Sequence, residues 1–280
     1  MSIADLCDDR GRLSILAIDH RDSLRQFLRP DDPDSLPSGE ITALKIELVR
    51  GIADLASGVM LEPEYSIPQV IDAGALPVGV GFLAALESQG YLDDPGASPT
   101  TILDGWSVEQ AKASGASSAK LLLPYHPDRP LAAAQESVAE QILDACRSAG
   151  LALALEPLFY DLDSPDDRPR VVVETARRFA RIGPDLLKLP YPGSQQACEQ
   201  VTAIADMPWA MLSGGGSFED FVEQFTIAAI AGCAGFMVGR ALWGEAVRAP
   251  AAERTELLRS LVRPRFQRLV DVNATAPSLR

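Results

Sequence analysis

Eight short apolar runs, each followed by a segment long enough to return the chain, constrain this sequence of 280 residues more than any other feature. The runs fall at residues 13–18, 58–61, 77–82, 119–124, 151–156, 186–189, 209–212 and 235–238, bounded by Gly, Pro, Asp or Ser. Between them, amphipathic or alanine-rich stretches at 39–56, 131–149, 171–182, 195–205 and 217–231 predict crossover helices. Parallel strands cannot be joined by a tight turn, so strand and helix in regular alternation select a parallel sheet covered by helices. Repeated eight times, the pattern predicts one α/β domain over residues 1–280, a (β/α)8 TIM barrel. A doubly wound open sheet satisfies the same alternation and is the competing architecture.

No linker divides the chain. Pro/Asp-rich stretches at 29–37, 93–99 and 163–169 are expected as surface loops or lids, because such compositions bury little. Residues 253–270 are expected to form a closing helix, and 273–280 a frayed tail.

Composition narrows the function. No apolar run approaches the roughly 20 residues that span a bilayer, and the opening Met1-Ser2-Ile3-Ala4-Asp5-Leu6 carries acid where a signal peptide carries base. Neither a membrane anchor nor export is expected. Cys7, Cys146, Cys198 and Cys233 lie far apart in no paired motif, which fits a reducing cytoplasm better than a disulfide framework or a zinc cluster. A net charge of −14 argues against nucleic acid or an anionic membrane, which need a broad basic face. It leaves room for a small anion held by local donors in a cleft. With His20 and His126 the only histidines, a His-rich metal site is hard to assemble, and neither a metal nor an organic cofactor is expected.

In a barrel all strand C-termini open at one mouth, and the polar residues fall there. Asp19-His20-Arg21 follows the first run, Glu62-Pro63-Glu64 the second, and Lys120 lies in the fourth with Tyr125-His126 beyond it. Glu156 ends the fifth run, Lys188 lies in the sixth, Ser213-Gly214-Gly215-Gly216 follows the seventh and Gly239-Arg240 the eighth. Singly, such acids cap helices and such glycines turn the chain. Together they outline a site. Lys188 stands inside Asp185-Leu186-Leu187-Lys188-Leu189-Pro190, an apolar strand in which an unpaired charge is costly or shifts its pKa. A lysine made neutral in this way can attack a ketone and form a Schiff base; the plainer alternative is an edge lysine whose ammonium reaches water. The two glycine-bearing turns bring backbone N–H groups to an anion, and Arg240 adds a forked donor, in the usual phosphate position of a barrel.

The segments Leu16-Ala17-Ile18-Asp19-His20-Arg21, Gly58-Val59-Met60-Leu61-Glu62-Pro63-Glu64-Tyr65, Ala119-Lys120-Leu121-Leu122-Leu123 and Leu155-Glu156-Pro157 carry a family resemblance. So do Asp185-Leu186-Leu187-Lys188, Met211-Leu212-Ser213-Gly214-Gly215 and Val238-Gly239-Arg240-Ala241-Leu242-Trp243. In this order they resemble the class I, Schiff-base aldolases of the tagatose-1,6-bisphosphate aldolase and sulfofructosephosphate aldolase group, over residues 13–247. The resemblance implies Lys188 as the nucleophile and Lys120 as a second lysine whose charge helps keep Lys188 neutral. It implies Glu156 as the proton-shuttling carboxylate and Asp19 as an acid that orients substrate hydroxyls or transfers protons. The implied reaction is cleavage of a phosphorylated ketose, of tagatose-bisphosphate, fructose-bisphosphate or sulfofructose-phosphate type, to dihydroxyacetone phosphate and an aldehyde.

Ser213, Gly214, Gly215, Gly239 and Arg240 are the expected phosphate site, with Arg21, Glu62 and His126 as further substrate contacts. Donors for a second anionic end are sought in Arg21, Arg25, His126 and Arg129. Related enzymes often carry Asp-Gln-Arg where this chain has Asp19-His20-Arg21, a departure placed where the aldehyde half would lie. The partner is a small sugar phosphate, and a homo-oligomer is expected. Three other readings stay open: a transaldolase, an aldolase for an unphosphorylated or sulfo-sugar, and a non-catalytic sugar-phosphate sensor.

Overall fold

Parallel strands β1 (Leu13–Ala17), β2 (Gly58–Leu61), β3 (Gly81–Ala85), β4 (Ser118–Pro124), β5 (Ala152–Leu158), β6 (Leu186–Leu189), β7 (Trp209–Leu212) and β8 (Gly235–Val238) close into a barrel in chain order. The computed structural model describes residues 3–88 and 95–276. Leu13 pairs with Gly235, which joins β8 to β1 and leaves the sheet without an edge. The closed ring is the expected single-domain (β/α)8 barrel and excludes the open doubly wound sheet.

Outside the ring lie α1 (Asp22–Leu28), α2 (Ser38–Ile52), α3 (Ile67–Asp72), α4 (Val108–Ala113), α5 (Ala132–Ala149) and α6 (Arg168–Ile182). They are followed by α7 (Gln195–Ile204), α8 (Phe218–Ile230), α9 (Arg240–Arg248), α10 (Ala251–Leu257) and α11 (Arg263–Thr275). Local chemistry sets several ends. The hydroxyls of Ser107, Ser194 and Ser217 accept from the backbone N–H of Gln110, Ala197 and Asp220, capping α4, α7 and α8. Gly150 and Gly183 close α5 and α6 in the left-handed region, at φ 68° and 79°.

Two expectations need correction. The apolar run at 77–82 predicts the third strand too early. Pro77 lacks a ladder donor, the Val80 N–H turns back onto the Pro77 carbonyl, and Val78 is fully exposed. Pairing begins instead at Gly81, opposite Gly58. The tail does not fray at 273: α11 runs to Thr275, and the buried Asn273 side chain donates to the Leu13 carbonyl at 3.1 Å and to Ser14 Oγ at 3.2 Å. The remainder of that expected tail, 277–280, lies outside the described residues, as do 93 and 94 of the expected loop at 93–99.

The side-chain period of two divides the core. Residues such as Leu16, Val59, Leu121, Leu153 and Leu187 point outward into a large apolar layer beneath the helices. Leu13, Ile15, Met60, Leu83, Leu186 and Met237 point inward and fill the barrel with Leu6. Leu6, carried on a one-turn helix at Ala4–Leu6, packs against Gly58 and Gly81 and so plugs the end remote from the mouth. Gly235 is fixed by space: a Cβ there would lie 1.9 Å from the Leu13 carbonyl oxygen.

Candidate active site

The same alternation that fills the lower barrel with aliphatic groups sends Lys120, Glu156 and Lys188 inward near its mouth. On β4 and β5 Lys120 pairs with Ala154 and Leu122 with Glu156, so the lysine and the glutamate are diagonal neighbours. On β6 and β7 Lys188 pairs with Ala210, a side chain small enough to leave the barrel axis to the lysine. All three charged groups are buried, with 1%, 5% and 5% exposure.

Burial on this scale demands partners, and each group has them. Lys188 Nζ lies 2.8 Å from Glu156 Oε1 and 3.5 Å from Met60 Sδ. Lys120 Nζ lies 2.9 Å from Glu156 Oε2, 2.9 Å from Asp19 Oδ2 and 2.7 Å from Glu87 Oε1. One carboxylate thus touches both ammonium groups, and one ammonium sits among three carboxylates. Burial alone would raise the Asp19 carboxyl, but Lys120 and Lys188 hold it well below the usual carboxylate range.

A cavity of about 140 Å³ lies over this cluster, lined by Asp19, His20, Lys120, Glu156 and Lys188. Ser213, Gly214, Gly215, Gly239 and Arg240 line it as well. Gly214 and Gly215 stand at φ 59° and 79°, which keeps their backbone close to the cavity, and Gly215 rests against the Arg240 guanidinium. Ser213 Oγ accepts the Gly239 N–H at 3.4 Å. Arg240 opens α9 directly after β8, so a helix start and a guanidinium face the same space. His20 meets Trp243 edge to face, with ring centroids 5.4 Å apart. Burial pushes its imidazole down to about 3, against the pull of Asp19, so the ring is neutral at physiological pH.

The structure therefore brings Asp19, Lys120, Glu156, Lys188, Ser213, Gly214, Gly215, Gly239 and Arg240 together with His20 around one cavity, while Arg21, Arg25, Glu62, His126 and Arg129 lie outside its lining. Arg21 is enclosed behind the wall, donating from Nη1 to Glu64 Oε2 at 2.6 Å and from Nη2 to the Glu87 carbonyl. Glu62 is fully buried in an ion pair with Lys45 and accepts the backbone N–H groups of Glu64 and Tyr65. His126 Nδ1 accepts the Asp128 N–H at 3.2 Å. Glu87 escaped the sequence reading. With β3 placed at Gly81–Ala85, it falls two residues past the strand, the offset at which Asp19 follows β1. Among the described residues no cluster of His, Cys, Asp and Glu is arranged to hold a metal ion, and no helix is long and apolar enough to cross a membrane.

A parallel barrel whose mouth encloses paired lysines and carboxylates is the setting of a carbon–carbon lyase of the aldolase type. The chain belongs to the DeoC/LacD family of aldolases, whose model matches residues 13–245. Over 307 aligned positions it is 27% identical to a tagatose 1,6-diphosphate aldolase of Staphylococcus aureus, covering 97% of this chain and 93% of that protein. An archaeal fructose 1,6-bisphosphate aldolase shares the fold at TM-score 0.65 and 22% identity, over 94% of this chain and 96% of the other. So does an archaeal fructose-1,6-bisphosphate aldolase with its catalytic lysine covalently bound to the carbinolamine intermediate, at TM-score 0.63 and 22% identity, over 93% and 96% of the two chains.

Proposed function

We propose that the protein is a class I aldolase that cleaves a phosphorylated ketose to dihydroxyacetone phosphate and an aldehyde through an imine on Lys188. The observation that carries this reading is the sharing of Glu156 between two buried ammonium groups, Lys188 at 2.8 Å and Lys120 at 2.9 Å. A carboxylate in contact with the nucleophile's nitrogen can take its proton and return it to a departing hydroxyl without rearrangement.

The steps follow from that contact. Glu156 accepts a proton from Lys188, the free amine attacks C2 of the ketose, and a carbinolamine forms. Glu156 returns the proton to the C2 hydroxyl, which leaves as water and yields a cationic imine. The carboxylate then removes the C4 hydroxyl proton, the bond between C3 and C4 breaks, and its electrons move to the imine nitrogen as the aldehyde departs. Protonation of the enamine at C3 and hydrolysis release the second product and Lys188. Asp19, held ionised by Lys120, accepts a hydrogen bond from a substrate hydroxyl and fixes the sugar chain. Ser213, the glycine backbone and Arg240 hold the C1 phosphate.

Borohydride added with substrate should attach a covalent mass to the peptide that contains Lys188, and Lys188→Ala should abolish both adduct and turnover. Labelling at Lys120 instead would overturn the assignment.

A further inference from the structure

The loops after β2, β3, β6 and β7 contain no lysine or arginine, so cations at the mouth must come from the other four. After β1, Arg21 is closed by Glu64 and the Glu87 carbonyl, and Arg25 donates to the Leu36 carbonyl and to Tyr65 Oη. After β4, Arg129 donates to Asp161 at 3.1 Å and to Asp163 at 2.6 Å. After β5, Arg170 donates to Asp128 at 2.7 Å and Arg168 lies over the Phe159 ring. Arg240, after β8, is the guanidinium in the cavity wall.

The two cavity lysines are held by carboxylates already. Lys120 and Lys188 between them meet Asp19, Glu87 and Glu156, so the floor carries more negative than positive groups. The side chain between the Asp19 floor and Gly239 is His20, and a Cβ on Gly239 would lie 2.7 Å from its ring. His20 Nδ1 is buried without a hydrogen-bond partner in the protein, 3.9 Å from Asp19 Oδ1, and is thus available to an uncharged hydroxyl. A second phosphate on Arg129, Arg170 or Arg21 would have to displace Asp161 and Asp163, Asp128 or Glu64, leaving those carboxylates uncompensated beside it, while Arg25 and Arg168, which meet no carboxylate among the described residues, are not among those that line the cavity. A hydroxylated, uncharged chain meets no such penalty.

From this arrangement we infer that the site takes a ketose bearing one anionic group, a 1-phosphate with an uncharged polyhydroxy end, and releases an uncharged aldehyde. The inference rests on the assignment of the C1 phosphate to the glycine loops and Arg240. It narrows the substrate class to monophosphates.

The test compares a hexitol 1-phosphate with the matching hexitol 1,6-bisphosphate by calorimetry on the intact protein, because neither can form an imine. A distal phosphate with a charge-assisted contact would tighten binding by about 10- to 150-fold. The expected result is a bisphosphate affinity within threefold of the monophosphate, or weaker. Arg240→Ala should weaken both ligands by the same factor. Tighter binding of the bisphosphate by more than threefold, or bisphosphate affinity that survives Arg240→Ala while monophosphate affinity is lost, would overturn the inference. Failure of the imine mechanism is seen separately, as a missing borohydride adduct in protein that still binds the hexitol phosphates.

Discussion

Lys45→Met isolates the cost of a buried charge in this barrel. Lys45 on α2 and Glu62 after β2 are both 0% exposed and form an ion pair. Burial lowers the Lys45 pKa, with Glu62 opposing the shift. Methionine keeps most of the apolar stem, so the substitution removes chiefly the ammonium. Glu62 would retain the Glu64 N–H at 2.7 Å, the Tyr65 N–H at 3.1 Å and the Ser66 hydroxyl at 3.0 Å. Removing one partner of a buried pair costs about 3–5 kcal/mol, and these surviving donors place the expected loss near the lower end, about 3 kcal/mol. For a chain of this size that corresponds to a fall in Tm of roughly 6–12 °C, measured by thermal unfolding at pH 7.5 and checked by urea midpoints. The double variant Lys45→Met/Glu62→Gln should recover most of the loss, because the orphaned charge is gone. A fall in Tm below about 3 °C for the single variant, or a double variant no more stable than the single, would refute the reasoning.

Arg240→Ala should lower kcat/KM on phosphorylated ketoses by about 10- to 150-fold, the worth of a charge-assisted contact of 1.5–3 kcal/mol, and spare unphosphorylated analogues; equal losses on both would make Arg240 structural. Glu87→Gln should lower kcat by about tenfold, from weaker hold on Lys120, while the borohydride adduct still forms on Lys188; wild-type kinetics would remove Glu87 from the machinery. His20 supplies a pH signature. Its imidazole falls to about 3 in the folded chain, so the folded state binds fewer protons than the unfolded one between that value and the ordinary 6.5. The associated stability is present above 6.5 and lost as pH falls toward 3. His20→Gln should therefore lose less stability than wild type between pH 6.5 and 4, by at most about 3 kcal/mol at roughly 1.4 kcal/mol per unit. Parallel stability curves for the two proteins would count against a half-buried imidazole held neutral.

The barrel was legible because its signal repeats: each strand is short, apolar and bounded, and one misplaced strand leaves the alternation intact. The misplaced one shows what composition cannot carry. Val78 and Val80 have the β-branched side chains of a strand, yet Val78 sits in solvent while the ladder begins at Gly81 and runs on through Phe82, Leu83 and Ala84. Losing that boundary also hid Glu87. Lys120, Glu156 and Lys188 were legible because charge inside an apolar strand has few explanations. Arg21, Glu62 and His126 stand at equally suggestive strand ends, yet their partners divert them from the cavity. Arg21 finds Glu64 across 43 positions and Glu62 finds Lys45 across 17, pairings that no local pattern announces.

Ring closure has a consequence for the birth of the chain. Strand β1 is made first, but its second neighbour is β8, and Leu13 must wait 222 residues for Gly235. At 5–20 residues per second on a ribosome, β1 spends about 10–45 s with one side unpaired. The clasp that follows, Asn273 on the Leu13 carbonyl, arrives later still. A stalled or truncated nascent chain ending before β8 would thus offer neighbouring polysomes an open, mostly apolar strand edge along Leu13–Ala17. Messages that slow translation between residues 212 and 235 should raise the demand for nascent-chain chaperones more than pauses after residue 275.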